Sequence, residues 1–574
     1  MSADLVLGIA DSITSGAALV RDGRIVAAVS EERLNRIKMA MGWPRLSIRE
    51  VLRIAGVEPD EISRIAIATK SLYWRPEAET TAGFFDADWG TDKRLVLALG
   101  NAGSRVLGGL RAARAPYYAL KRLFGLRRSR AIRRELQAQG FEAKPVYVDH
   151  HLAHAASAYY TGGHADANVV TLDGAGDGLS AAVYRGRDGV LERHAAVSSY
   201  DSIGNFYSYV THILGFKAHR HEGKITGLAA YGEPRYGDLF RSLVRYRDGR
   251  IENRARAFHV AALKKVRKLL PAEAAREDVA ASIQLVLEEV CAAFVAHWVD
   301  KLGSRHLALA GGVAANVKLN QRLFAIDGVP TVSVHPAMGD DGLAAGAALH
   351  ALAASRPRGE RAALVHDLPH AYLGSRYGND ELRRALDSAG VSYDQPADLA
   401  ARIARFIADK KVVARFAGAM EYGPRALGNR SILVHAGDPT VNDWLNQRLQ
   451  RTEFMPFAPV TLDDETSDCY VGLDGAERVG RFMTITCDCT DRLRGSCPAV
   501  VHVDGTARPQ LLGRDENPGY RAILEEYRKL TGFSTIINTA FHMHEEPIVC
   551  TPDDALRAFT LGHLDSLVFG DYLV

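Results

Sequence analysis

The chain has 574 residues, 47% hydrophobic and 24% charged, with a formal net charge of +3. It is too long for one core, so two or three domains are expected, and the mix excludes a disordered or fibrous chain. The near balance of charge gives no sign of a nucleic-acid partner, and six scattered cysteines without a Cys-x-x-Cys pair argue against a disulfide framework and for a reducing cytoplasm.

The N-terminus carries Asp4 and no basic stretch, so no signal peptide is expected, and no apolar run reads as long enough to span a membrane. Residues 5–9 read as a buried strand ending in Asp11-Ser12. A Thr14-Ser15-Gly16 turn leads to a strand at 17–20, and Asp22-Gly23 turns that strand into another at 25–29, a hairpin. RNase H-like, actin-type phosphotransfer folds begin in this way, with small residues whose backbone N–H groups face a phosphate. A helix is expected over 47–55, N-capped by Ser47. Residues 101–137 are basic, with Arg105, Arg111, Arg114, Lys121, Arg122, Arg127, Arg128, Arg130, Arg133 and Arg134 opposed by Glu135 alone. They are read as a helical pair with a solvated basic face; the alternative is a surface for an anionic or membrane-associated acceptor.

His150 and His154 are four apart, after a short strand at 144–148. On a helix they share one face, where two imidazoles can clamp one metal ion; the plain alternative is a pair of core histidines with satisfied hydrogen bonds. The apolar run 169–172 ends in Asp173-Gly174-Ala175-Gly176-Asp177-Gly178, which places Asp173 at a sheet's carboxyl edge, where α/β proteins bind ligands. Glu222-Gly223-Lys224 is expected in a ligand-facing loop, against the alternative of a helix start. Residues 279–302 form a long amphipathic helix. A strand at 307–310 then runs into Gly311-Gly312 and Asn316, bringing backbone close to a ligand at a helix N-terminus. After a strand at 332–336, Asp340 completes a set of two imidazoles and two carboxylates, suited to Fe(II), Mn or Zn.

Composition shifts at 353–359, the expected domain boundary, and a second α/β unit starts near Ala371. Its centre is Glu421-Tyr422-Gly423-Pro424-Arg425-Ala426-Leu427-Gly428-Asn429-Arg430-Ser431. Arg425 and Arg430 can hold phosphate oxygens with forked donors, and surface arginines paired to carboxylates are the alternative. Arg448, Arg451, Arg508, Asn538 and Thr539 add donors for a polyanion such as a nucleotide with an acyl phosphate. Cys487 and Cys489, in the strand expected around 482–486, point to one face.

Taken in order, Glu31-Glu32-Arg33-x-x-Arg36-Ile37-Lys38, the His150/His154 pair, Leu172-Asp173-Gly174, Glu222-Gly223-Lys224, Gly311-Gly312-Val313-Ala314, Gly339-Asp340-x-Gly342, the Gly423–Ser431 stretch, Pro456-Phe457-Ala458-Pro459, Asp504–Gln510 and Glu546-Pro547-Ile548-Val549 resemble the O-carbamoyltransferases of the nodulation-protein and antibiotic-tailoring (NodU/CmcH, TobZ-like) family. The resemblance implies an α/β protein of two domains. Residues 1–355 would be a Kae1-like domain of the actin/Hsp70/sugar-kinase (RNase H-like) superfamily, and residues 368–574 a YrdC/Sua5-like α/β domain. It implies that the second domain makes carbamoyl-adenylate from ATP and carbamoyl phosphate. The first would then pass the carbamoyl group to a hydroxyl of a sugar, aminoglycoside, macrolide or glycolipid.

In that scheme His150, His154, Asp173 and Asp340 hold a divalent metal, Fe(II) foremost. Asp11, Lys224, Arg425 and Arg430 are the catalytic candidates. Asp173, Gly174, Gly176, Gly311, Gly312, Asn316, Arg448, Arg451, Arg508, Asn538 and Thr539 bind the nucleotide or donor. Where many relatives carry His-Asp, Ile13-Thr14 stand here, so the base is Asp11 or a group from elsewhere in the chain. Where many carry Lys-x-Arg, Gln450-Arg451-Thr452 stand. A homodimer is expected by the habit of such enzymes. The tRNA threonylcarbamoyl and hydrogenase-maturation readings lack their His-x-Glu-Gly-His and Cys-x-x-Cys motifs here. A sugar kinase, or a nucleotide-binding regulator without turnover, are the remaining alternatives.

Overall fold

A computed structural model describes residues 4–72, 74–79, 85, 115–450 and 454–574. Arg451, the basic segment from 101 to 114 and the side chains of Lys121 and Arg122 lie outside the described residues. The chain forms two compact units: residues 1–25, 39–45 and 57–367 make the first, and residues 26–38, 46–56 and 368–574 the second.

Two five-stranded sheets are built on the first unit's strands, except that residues 26–30 of one edge strand count with the second unit. One has the order β3-β2-β1-β4-β5, from β1 (Leu5–Ala10), β2 (Gly16–Arg21), β3 (Arg24–Ser30), β4 (Arg64–Ala68) and β5 (Pro145–Val148). The other has the order β8-β7-β6-β11-β12, from β6 (Asp166–Gly176), β7 (Leu179–Arg187), β8 (Val190–Ser198), β11 (His306–Ala310) and β12 (Val332–Val334); β9 (Val244–Arg247) and β10 (Arg250–Asn253) form a separate hairpin. In each sheet the first strand runs antiparallel to the second and parallel to the fourth, which is parallel to the fifth. The same winding therefore occurs twice. Asp22 (φ 51°) and Gly23 (φ 85°) take the left-handed conformations that a two-residue hairpin turn requires.

The helix Leu343–Ser355 is buried nearly all round, between β1, β2 and β4 and the histidine-bearing helix His150–Tyr160. Its small residues make that possible. A Cβ on Gly8 would lie 1.9 Å from the Ala344 carbonyl oxygen, and one on Gly346 1.9 Å from that of Ala153.

Several expectations need correction. The helix expected over 47–55 spans Arg45–Ala55, and Ser47 is not its cap; instead the Glu31 carboxylate accepts the N–H groups of Leu46 (3.1 Å) and Ser47 (2.7 Å). Glu222 and Lys224 lie in a helix, Glu222–Ala229, not in a loop. The strand expected over 332–336 is shorter, Val332–Val334, and Asp340 opens the short turn Asp340–Gly342 beyond it. The strand expected around 482–486 is Cys487–Cys489; both thiols are buried, and all six cysteines are free. The helix Arg276–Leu302 is long and apolar enough to cross a membrane by composition, although 67% of its apolar 18-residue stretch is buried, against the helices Ile203–Ile213, Glu222–Ala229 and Val317–Phe324 among others.

The second unit is built on a seven-stranded mixed sheet. Its order is Gln510–Leu512, Ala458–Leu462, Ile536–Ala540, Arg430–His435, Val413–Phe416, Ser566–Phe569 and Tyr572–Leu573. Helices Leu399–Ala408 and Pro518–Thr531 pack together on it, burying Ile403, Ile407, Leu433, Val460, Leu524 and Ile536.

Candidate active site

The histidine-bearing helix starts where Asp149 accepts the N–H of Leu152 (3.2 Å). One turn separates His150 from His154, and their Nε2 atoms lie 3.1 Å apart. Asp173 sits on β6 where its register with β7 shifts, between Leu172 and Gly176. Asp173 Oδ2 is 3.3 Å from His150 Nε2, while Oδ1 accepts the N–H of Gly312 (2.9 Å). Asp340 Oδ1 is 3.6 Å from both imidazole nitrogens. One donor atom from each of the four residues lies within 4.8 Å of every other.

These residues fit a metal ion. Donors about 2.1 Å from a common ion stand roughly 3.0–3.4 Å from one another, close to the spacings found here. The electrostatics agree. Burial alone would lower the basicity of His150, but the carboxylates of Asp340 and Asp173 outweigh it and hold its pKa up at about 9. Asp173 is buried too, yet the hydrogen bond and charge of His150 keep its carboxyl far below the usual range. The pocket thus favours a positive charge at its centre. Fe(II), Mn and Zn suit such a donor set.

A shell of further contacts fixes the donors. Thr69 Oγ1 lies 3.0 Å from His150 Nδ1, which leaves Nε2 to face the cluster. Asp177 accepts the N–H groups of Lys70, Ser71 and His150, tying the end of β4 to the start of the helix. Gly176 has no room for a side chain: a Cβ there would lie 2.1 Å from the His150 ring. His151 turns away to Thr171 Oγ1 (2.8 Å), and burial pushes its pKa down to about 3.

In the second unit the Gly423–Ser431 stretch is held by one buried carboxylate. Glu421 Oε1 accepts the N–H groups of Leu427 (2.7 Å), Asn429 (2.8 Å) and Arg430 (3.2 Å). Arg430 is fully buried over the Phe416 ring, 3.8 Å from its centroid, and donates to the carbonyls of Ala417, Asn429, Ser375 and Gly418. Its burial lowers its pKa to about 10. Arg415 donates to Gly428 O and Asn429 Oδ1, both at 2.7 Å. Asn538 donates to Ala426 O and Gln510 Oε1, and its own Oδ1 is buried without a hydrogen-bond partner among the described residues.

The family descriptions "Carbamoyltransferase N-terminus" and "Carbamoyltransferase C-terminus" match residues 6–349 and 404–574. The chain belongs to the carbamoyltransferase family. It is 34% identical to the nodulation protein NolNO of Sinorhizobium fredii, over 97% of this chain and 78% of that one. An uncharacterized protein of Synechocystis sp. is 32% identical over 98% of this chain and 94% of its own. A nodulation protein U of Rhizobium tropici is 32% identical over 51% of this chain and 48% of its own. The dehydratase component A of Acidaminococcus fermentans, a solved structure, is similar over 60% of this chain and 96% of its own at 16% identity, with a TM-score of 0.32, too low to carry an argument.

The other candidate residues of this carbamoyltransferase are spread through both units. Asp11, at the end of β1, is buried in a two-pronged pair with Arg128 (2.9 and 2.5 Å), which also donates to the carbonyls of Thr69 and Ala68. Arg128 therefore stands apart from the solvated face expected of its segment. Lys224 is buried, its ammonium 6.0 Å from the Phe216 ring centroid. Asn316 caps the helix Val317–Phe324 through Leu319 N–H and bonds Gln284 and Thr226. Gly311 (φ 100°) passes against the Leu172 carbonyl, and Gly174 lies beside Asn205 and His219. Arg425 and Arg508 are half-buried, Thr539 lies on the strand Ile536–Ala540, and Arg448 pairs with Asp565 (3.2 Å). Sequence reasoning missed Thr69, Arg128 and Asp177 as supports, and Glu421 as the residue that organises its loop.

Proposed function

We propose that this carbamoyltransferase makes carbamoyl-adenylate from carbamoyl phosphate and ATP in residues 368–574, and transfers the carbamoyl group to a hydroxyl of a small-molecule acceptor in residues 1–355. The four-donor cluster His150/His154/Asp173/Asp340 carries the reading, because it gives the first unit a cation site next to a glycine-rich turn.

In the first half-reaction water hydrolyses carbamoyl phosphate to carbamate and inorganic phosphate, and a carbamate oxygen bonds to the α-phosphorus of ATP as the bond to pyrophosphate breaks. Arg425 faces the charge that moves between phosphates, while Glu421 and Arg430 hold its loop in shape. In the second, the acceptor's hydroxyl oxygen bonds to the carbamoyl carbon, its proton passes to a base, and the bond to AMP breaks with the electron pair staying on the AMP phosphate. A bound Fe(II), with Mn or Zn as alternatives, would supply positive charge for the adenylate. Thr69 and Asp177 keep His150 aimed, and Gly312 keeps Asp173 aimed. Asp11 serves as base only if its pairing with Arg128 is relaxed. Six buried free thiols accord with a reducing cytoplasm.

Exchange of labelled pyrophosphate into ATP, with carbamoyl phosphate present, tests the division of labour. Strong exchange is expected in the wild type and in His154→Ala, and none in Arg425→Ala. An ADP product would mark a kinase instead, and no exchange in the wild type would refute the adenylation step.

A further inference from the structure

Polar side chains around the cluster are engaged within the protein. Thr69 is turned to His150, and Asp177 to the N–H groups of Lys70, Ser71 and His150. Ser202 accepts from Asn205 N–H and donates to the Asp173 carbonyl, and Asn316 bonds Gln284, Thr226 and Leu319. Asn205 is different. Its backbone N–H donates to Ser202 Oγ (3.0 Å), but its side-chain amide makes no hydrogen bond among the described residues.

Asn205 lies in the first turn of the helix Ile203–Ile213, which begins against the strand that carries the candidate ligand Asp173. Gly204 permits the approach: a Cβ there would lie 3.1 Å from the Asp173 carbonyl oxygen and 2.9 Å from Val313 Cγ2. The approach sets Asn205 Oδ1 3.5 Å from the position of a Cβ on Gly174, the residue after Asp173. His219 Cε1 lies 3.6 Å from the same position. His219 is held in a left-handed conformation (φ 64°), with its N–H donating to Glu222 Oε1 (2.6 Å). Gly174, Asn205 and His219 are half-buried and Ala175 is exposed, so a ligand entering from solvent reaches the amide.

A carboxamide presents an N–H donor and a C=O acceptor in one plane. A carbamoyl group presents the same pair in reverse order, so the two close a ring of paired hydrogen bonds. A phosphate offers acceptors only, and uses half of the amide. In carbamoyl-adenylate the carbamoyl group hangs from the phosphate through a single oxygen. It therefore lies beside whatever holds that phosphate, here the glycine-rich turn that begins at Gly174.

We propose that Asn205 is a specificity residue whose amide pairs with the carbamoyl group of the adenylate and selects it over acyl groups that lack an N–H. The assignment rests on the reading that the adenylate is used in the first unit.

The test uses the full chain and two stable analogues, in which CH2 replaces the oxygen between phosphorus and the acyl carbon so that nothing transfers. One is the carbamoylmethylphosphonate ester of adenosine at its 5′ oxygen, and the other is the acetonylphosphonate ester, which lacks the N–H. Binding is read by backbone hydrogen exchange in the peptides that carry Asp173–Gly174 and Asn205, so that binding in the second unit does not interfere. In the wild type the carbamoyl analogue is expected to protect these peptides at about tenfold lower concentration than the acetonyl analogue. In Asn205→Ala, a substitution that favours helix, the carbamoyl analogue should fall back to the acetonyl midpoint, which itself stays where it was. Asn205→Leu, of similar volume and without polar atoms, should do the same. A purely structural role would weaken both analogues alike. Equal protection by the two analogues in the wild type, or a preference that survives both substitutions, overturns the proposal. Protection by neither analogue in the wild type refutes the reading that the adenylate reaches the first unit, and the proposal with it.

Discussion

At the scale of single residues, two positions put the cluster to a sharp test. Gly176 leaves space for the His150 ring, so Gly176→Ala must push that imidazole aside. The expected outcome is purified protein with at least tenfold less tightly bound divalent metal, measured by elemental analysis, and a far-ultraviolet spectrum like that of wild type. Metal content equal to wild type would show that His150 is not a ligand. Arg128 is the other position. Its guanidinium neutralises Asp11, with both side chains about 1% exposed. Removing one partner of a buried pair leaves an uncompensated charge, at a cost of about 3–5 kcal/mol. Arg128→Met should lower the free energy of unfolding by that amount in a denaturant titration, and Asp11→Asn in the same chain should recover part of it. The histidine spacing announced one of these features. The other was invisible, because Arg128 sits among nine other basic residues and only tertiary structure sets Asp11, 117 positions away, beside it.

At the scale of elements, carboxylates that hold backbone recur where sequence patterns suggested other devices. Ser47 looked like a cap because serine caps helices, yet Glu31 reaches in from 16 residues earlier and takes two N–H groups. Glu31→Ala should therefore cost about 1–2 kcal/mol of stability, whereas Ser47→Ala should cost far less of the capping energy; equal losses would contradict the assignment. Glu421 plays the same part for a loop. Three N–H groups converge on one oxygen, so Glu421→Ala removes the anchor of the whole Leu427–Arg430 turn. Hydrogen bonds to a charged group are worth about 1.5–3 kcal/mol each, enough for this variant to lose most of its pyrophosphate exchange while keeping the metal. The strands and helices themselves were legible where periodicity was strong: the first hairpin, the histidine helix, β6 and β11. Glu222-Gly223-Lys224 was misplaced in a loop because its glycine reads as a breaker, although the apolar face of Ile225 and Leu228 makes it a helix.

At the scale of the whole molecule, the main division falls between residues 367 and 368, just past the composition shift at 353–359, and segments 26–38 and 46–56 fold into the second unit as well. Arg33 donates to the carbonyl of Gly423 (2.9 Å), in the loop that Glu421 organises. Arg36 donates to the carbonyls of Pro547 and Ile548, both at 2.8 Å, and pairs with Asp554 (3.2 Å). The Glu31-Glu32-Arg33-x-x-Arg36 motif could be read from sequence, but not its partners, since hydrogen bonds spanning 390 to 512 residues leave no local periodic trace. A fragment of residues 368–574 should therefore fail to form a stable unit, because the carbonyls that Arg33 and Arg36 cover lose their donors and Asp554 loses its cation. Each such loss costs about 1–3 kcal/mol, against a total stability of roughly 5–15 kcal/mol for a domain. Joining residues 26–56 to that fragment through a flexible linker should restore a cooperative thermal transition. Cooperative unfolding of 368–574 alone, with an unchanged midpoint, would show that the two arginines contribute nothing to the second unit's fold.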